Sequence, residues 1–150
     1  MFTIKILSQD DLTMLMNVAE GVFDNPIDET FAREFLSDPR HHIVAAIAND
    51  VVVGFASAVH YIHPDKPPEL WINEVGVTPS HQRQGIGKAI MKVILQLGHE
   101  LGCKSAWVLT DRGNEPANRI YQSVGGQIGE EDTVMYEFDL DPNALPRTST

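Results

Sequence analysis

The sequence predicts a mixed α/β sheet with helices on both faces, and three observations predict it. Alternating apolar strands in the first half are joined by hairpin signals. Strands in the second half are separated by helical patterns, the signature of parallel neighbours. The chain has 150 residues, 43% of them hydrophobic, which is enough for one real core and one domain of ordinary size.

Residues 2–7 alternate and begin with β-formers, giving a first strand. Asp10 or Asp11 can cap a helix that carries Leu12, Leu15, Met16 and Ala19 on one face. Residues 21–26, from Gly21 to Pro26, break it, and residues 28–36 form a short second helix with Phe31 and Phe35 four apart. Residues 42–48 and 51–61 read as strands of a hairpin turned at Asn49-Asp50. The Pro-rich residues 63–68 form a loop, and residues 70–77 the next strand, stopped by Thr78-Pro79-Ser80. The strongest helix spans residues 84–101, where Ile86, Ala89, Ile90, Val93, Ile94, Leu97 and Leu101 follow helical spacing up to Gly102. A strand at 105–110, a helix at 116–124, a turn at Gly125-Gly126 and a closing strand at 133–140 complete the order β-α-α-β-β-β-α-β-α-β. The domain expected is 1–140, with 141–150 a flexible tail.

A net charge of −10 argues against nucleic acid as the partner, because phosphate neutralisation needs clustered Lys and Arg. The charge is uneven. Between His81 and Arg119 lie six basic residues (Arg83, Lys88, Lys92, Lys104, Arg112, Arg119) and three acidic ones (Glu100, Asp111, Glu115), so this stretch is +3 and the remainder −13. One locally basic segment on an acidic body suits an anionic cofactor beside a cationic substrate; an acidic surface that only aids solubility fits the same numbers. No apolar run reaches the length of a membrane span, and the first residues have no basic region followed by an apolar stretch, so a cytoplasmic protein is expected. Cys103, a lone cysteine at a helix end with no paired histidine, reads as packing, and the six histidines lack metal-ligand spacing, so no metal is expected.

Gln82-Arg83-Gln84-Gly85-Ile86-Gly87 falls between an apolar strand and the best helix. A helix start presents unpaired N–H groups and a positive dipole end, and glycines let a phosphate approach those donors. Arg83 and Lys88 can add charge at the rim. A P-loop would need Ser or Thr after Gly87-Lys88, where Ala89 stands, and a dinucleotide fingerprint would need three glycines after the first strand. A glycine-containing turn capping an ordinary helix is the alternative.

The pattern Gln82-x-x-Gly85-x-Gly87 resembles the pyrophosphate-binding motif of the GNAT superfamily, the GCN5-related N-acetyltransferases, and the element order agrees from Phe2 to about Leu140. That resemblance implies a centrally splayed mixed sheet, acetyl-CoA as donor, and cofactor contacts from Val75, Gly76, Val77, Gln82, Arg83, Gln84, Gly85, Ile86, Gly87, Lys88, Asn114, Ala117 and Asn118. Transfer to an amine needs a proton acceptor, a polarised carbonyl and a protonated leaving thiolate. Gly76, at a bulge or a close backbone approach, would present a main-chain N–H to the thioester oxygen. Glu74, a carboxylate in an otherwise apolar strand, would be the base, because burial raises a carboxylate pKa; an exposed or salt-bridged structural glutamate is the alternative. Tyr121, at the end of an Asn-x-x-Ala-x-x-x-Tyr pattern running from Asn114, would be the general acid, or else would pack beside Ile120 and Val124.

Within the superfamily the sequence more nearly resembles small, single-domain aminoglycoside 3-N-acetyltransferases. The resemblance lies at Ile72-Asn73-Glu74-Val75-Gly76-Val77, at Asp111-Arg112-Gly113-Asn114-Glu115-Pro116-Ala117 and at Met135-Tyr136-Glu137-Phe138-Asp139-Leu140-Asp141-Pro142. A polycationic acceptor should meet carboxylates, so Asp24, Asp28, Glu29, Asp111, Glu130, Glu131 and Asp132, with Asn73 and Glu74, are the substrate-binding candidates; ordinary solvated loops would look the same. A polyamine or protein amine as acceptor, and a non-catalytic acetyl-CoA-binding module, remain open. The resemblance leaves room for a homodimer.

Overall fold

The computed structural model describes residues 1–129 and 132–143. Five strands form one sheet in the order β1 (Thr3–Ile6), β2 (His41–Ala48), β3 (Val51–Tyr61), β4 (Glu69–Val77) and β5 (Ser105–Val108). The first four run antiparallel to their neighbours, while β4 and β5 are parallel, joined through a crossover helix. The helices are α1 (Leu12–Leu15), α2 (Glu29–Ser37), α3 (Ile86–Glu100) and α4 (Glu115–Ser123). Among the described residues no helix is long and apolar enough to cross a membrane.

Strand alternation divides the core in two. Val44 and Ala46 of β2, Ala56 and Ala58 of β3, and Leu70 and Ile72 of β4 pack against Ile86, Ile90, Met91 and Ile94 of α3. Their sheet-mates Ile43, Ala45, Val52 and Phe55 face Leu15, Val22 and Ala32 on the other side. The alanines on the first face are small enough to let α3 lie close. The β2–β3 hairpin turns at Asn49 and Asp50, both with positive φ (51° and 62°), as a two-residue hairpin twisted like its strands requires.

Four expectations need correction. The first helix stops at Leu15, because the chain after it is drawn onto the sheet: Val18 bridges Val52, and the Ala19 and Val52 backbones pair. Asp11 holds the N-cap position of this helix but makes no capping bond there; Ser8 caps the 3-10 turn Gln9–Asp11 that leads into it, and Asp11 returns the reciprocal bond to the Ser8 amide at 2.8 Å. Strand β5 ends at Val108, two residues early. The closing strand at 133–140 is not part of the sheet, and its side chains are exposed. Alternation states what a segment could pair with, but a strand forms only where a ladder receives it.

Candidate active site

The sheet opens where its parallel pair ends. Strand β4 is paired with β5 only from Glu69 to Ile72, opposite Ser105 to Val108. Beyond Ile72 the β3–β4 register shifts, so that Ser57 faces Glu74 while Ala58 faces Ile72, leaving Asn73 as the extra residue of a bulge. The bulge therefore lies at Asn73 and not at Gly76. Past it, β4 and the chain after β5 diverge around a cleft of about 900 Å³. Its walls are Asn73–Val77, the loop before α3, the residues following Val108, and α4.

At one end lies the start of α3. Its first intrahelical bond runs from the Ala89 amide to the Gly85 carbonyl (3.0 Å), so the amides of Ile86, Gly87 and Lys88 precede any partner within the helix. The N-cap is Gly85, with φ 81° and no side chain to take those donors. Arg83 also stands at positive φ, 64°, and the Gln82 side-chain Nε2 donates to the Val77 carbonyl at 3.1 Å, tying the loop to the end of β4. Arg83, Gly85, Ile86, Gly87 and Lys88 line the cleft together with Gln82, whereas Gln84 does not. The two glycines serve different ends. A Cβ on Gly85 would meet open space, but one on Gly87 would stand 2.7 Å from Ile120 Cδ1. Gly87 is thus small so that α4 can reach α3, and only Gly85 answers the expectation of an open approach to the amides.

Tyr121 comes to the same cleft from α4. It is half-buried, and burial pushes its hydroxyl above the usual phenol range, so it holds its proton. Asn114 caps α4 as expected, accepting from the Ala117 amide at 3.2 Å, and both Asn114 and Ala117 line the cleft. Asn118 does not line it. Its side-chain amide donates to the Asp111, Arg112 and Asn114 carbonyls (3.0, 3.4 and 2.7 Å), so it braces the loop before α4.

Glu74, with Val75, Gly76 and Val77, forms the β4 wall. Glu74 is exposed, contrary to the burial expected of a carboxylate in an apolar strand, because the bulge turns it into the open cleft. Gly76 is the close approach: a Cβ there would stand 2.6 Å from the Val22 carbonyl oxygen and 3.1 Å from Phe55. This glycine lets the segment from Gly21 to Asp24 lie against β4, and the Thr78 hydroxyl, donating to the Glu20 carbonyl at 2.7 Å, pins it there. Asp24 and Glu74 consequently share one cleft.

The remaining acidic candidates do not converge. Asp28 caps α2 by accepting from the Phe31 amide (2.9 Å), and Glu29 pairs with Arg33 (2.7 Å). Neither they nor Asp111 and Asp132 line the cleft, because local capping, local pairing and an outward course claim them. Glu130 and Glu131 lie outside the described residues. Cys103 lies away from the cleft, its thiol pushed up by burial. Residues that sequence reasoning missed include Gly21, His81, Thr110 and Arg119, all in the lining. Arg119 had a signal, standing on the Tyr121 helix inside the basic stretch; the Gly21 segment, read as a helix break, had none.

Against known proteins, a model of the Acetyltransferase (GNAT) family matches residues 10–125. The N-alpha-acetyltransferase RimI of Mycobacterium tuberculosis is 28% identical over 127 residues, 83% of this chain and 78% of that protein. A mycothiol acetyltransferase of Pseudarthrobacter chlorophenolicus is 33% identical over 100 residues, 66% of this chain and 31% of that protein, so the chain spans about a third of its length. Among solved structures, the aminoglycoside acetyltransferase meta-AAC0020 from an uncultured soil metagenomic sample, in complex with sisomicin, superposes with a TM-score of 0.79 at 22% identity, over 93% of this chain and 96% of that one. The likeness is one of fold, and it extends to the mixed sheet with helices on both faces.

Proposed function

This chain belongs to the Acetyltransferase (GNAT) family, and from that premise we propose that it carries the acetyl group of acetyl-CoA to an amine of a cationic small molecule, the 3-amino group of an aminoglycoside, by direct attack in a ternary complex. The observation that carries the activity is that the uncapped amides opening α3, the Glu74 carboxylate and the proton-holding Tyr121 hydroxyl border one cleft. Bound acetyl-CoA supplies the activated thioester. The amides of Ile86, Gly87 and Lys88, with Arg83, hold its diphosphate at the positive end of the helix. Glu74 takes the proton of the attacking amine, through a water because the carboxylate stands in solvent. As the nitrogen–carbon bond forms and the carbon–sulfur bond breaks, Tyr121 gives its proton to the departing sulfur. The β4 backbone beyond Ile72 is free of β5, and a main-chain amide released there would serve the polarised carbonyl.

The acceptor assignment draws support from Asp24 and Glu74 in the cleft, which suit an acceptor with several ammonium groups, and from the sisomicin-bound structural neighbour. The relative named as an N-alpha-acetyltransferase favours a second reading, a protein α-amine. Release of free CoA from acetyl-CoA, followed over a panel of aminoglycosides, spermidine and N-terminal peptides, decides between them. Turnover with an aminoglycoside, with the product's 3-amino group acetylated by NMR, is expected. Turnover only with peptide or spermidine refutes the acceptor. Binding of CoA without turnover favours a non-catalytic module, and no CoA heat in calorimetry refutes the acetyl-transfer reading itself.

A further inference from the structure

The chain has two tryptophans, and the fold stacks one on the other. Trp71 of β4 and Trp107 of β5 are register partners in the parallel pair, with ring centroids 5.4 Å apart and planes 16° from parallel. Polar bonds pin the stack. The Trp107 indole N–H donates to the Tyr61 hydroxyl at 2.6 Å. Beside it Glu69 accepts from the Ser105 hydroxyl at 3.0 Å and meets the His63 Nε2 at 2.9 Å. Those hydrogen bonds, Ser105 first and then His63, hold the Glu69 carboxyl below its ordinary range, so it keeps its charge. Trp107 nevertheless remains 39% exposed. A large aromatic side chain that is held rigid and left open suits a contact surface better than a core.

The stack lies on the same side of the sheet as the acidic wall of the cleft. Leu70 and Ile72 face α3, so Glu69 and Trp71 point to the opposite face. Past the bulge Glu74 stands opposite Ser57, and Ser57 opposite Ile43, whose face is the one carrying Phe55 and Val22. Glu74, residues 21–24 and both tryptophans therefore share one face. Leu109, two residues beyond Trp107, lines the cleft and joins the stack to it. An aromatic pair with the carboxylates of Glu69 and Glu74 on either side draws a cation. We propose that the Trp71–Trp107 stack is a second acceptor subsite, taking an ammonium-bearing ring about 10 Å from the amine being acetylated, which is three residues of β4 from Trp71 to Glu74. The proposal rests on the cationic-acceptor reading and deepens it: only an acceptor of two or more rings reaches both places. Tyr61, through its bond to the indole, is a positioning residue.

Because the sequence holds no other tryptophan, intrinsic fluorescence reports on this stack alone. Sisomicin, which has three rings, is titrated into the purified protein without acetyl-CoA and is expected to change the tryptophan emission saturably. Its central ring alone, 2-deoxystreptamine, is expected to leave the emission unchanged. Trp107→Leu should raise KM for sisomicin about tenfold, against a KM for acetyl-CoA that does not move. Tyr61→Phe, which keeps its ring but frees the indole N–H, should raise the same KM by a smaller factor. Sisomicin turnover without an emission change, or with its KM unaltered in Trp107→Leu, overturns the subsite and leaves the acetyl-transfer reading standing. An equal response to 2-deoxystreptamine overturns it as well, because distance from the reacting amine then plays no part. Absence of turnover with any aminoglycoside overturns the acceptor reading and the subsite together. Should Trp107→Leu fail to fold, the wild-type titration decides by itself.

Discussion

Replacing Gly76 with alanine tests how the cleft is assembled. The new methyl would stand 2.6 Å from the Val22 carbonyl oxygen, a separation real Cβ atoms essentially never show, and 3.1 Å from Phe55 Cε1. Neither neighbour can withdraw cheaply. Phe55 is 2% exposed and stacked on Phe23 at 3.9 Å between ring centroids. The Val22 segment is held by the Thr78–Glu20 bond at 2.7 Å, and Thr78 is itself tied to the Val53 carbonyl at 2.8 Å. Forcing a methyl into such a site costs about 1–3 kcal/mol, which for a domain of this size lowers Tm by about 3–10 °C. Because the displaced segment carries Asp24, KM for the amine acceptor should rise more than KM for acetyl-CoA. Differential scanning fluorimetry and steady-state kinetics read both effects. A Tm within 1 °C of wild type, with acceptor KM unchanged, would show that the Gly21–Asp24 segment is not packed on β4 and refute the reasoning.

Further outcomes follow from the same geometry. Tyr121→Phe keeps the half-buried ring and should lower kcat by about 10²-fold with little change in Tm; because burial raises the phenol pKa, no alkaline limb assignable to Tyr121 should appear below about pH 10 in the wild-type profile. Glu74→Gln should reduce turnover at neutral pH and leave CoA affinity intact in calorimetry; an unchanged rate removes Glu74 as the proton acceptor. Gly85→Ala places a side chain at φ 81°, a cost of about 1–2 kcal/mol, and should weaken CoA binding about tenfold without touching α4, since no atom lies within 4 Å of the added carbon. His42, whose ring meets His60 at 2.7 Å, is held down to about pH 4 by burial first and then by the charges of His60 and His41. Its folded pKa lies below the unfolded 6.5, so the unfolded chain binds the extra proton and stability should fall as pH drops from 6.5 towards 4; urea titrations of His42→Asn should be flatter over that window.

Much of this architecture was legible because it is written locally. The apolar spacing of Ile86, Ile90 and Ile94 is a property of fifteen neighbouring residues, and it yields α3 with its buried face as expected. Asn49-Asp50 turns its hairpin by its own backbone preference, and Asn114 caps α4 through an amide three residues on. The sequence also carried the segments that meet at the cleft, since the Gln82–Lys88 loop, the Asn73–Val77 strand and the Tyr121 helix are each recognisable alone. What the tertiary structure alone decided concerns contacts between residues far apart in the chain. Only the fold shows that Gly87 is small for Ile120, that Gly76 is small for Val22, that a bulge at Asn73 turns Glu74 into solvent, and that Asp28 and Glu29 are spent on capping and pairing while Asp24 reaches the cleft. Periodicity reports which face of a segment is apolar, but which neighbour covers that face depends on how distant segments are brought together, and residues 133–140 show a complete strand pattern without a place in their own sheet.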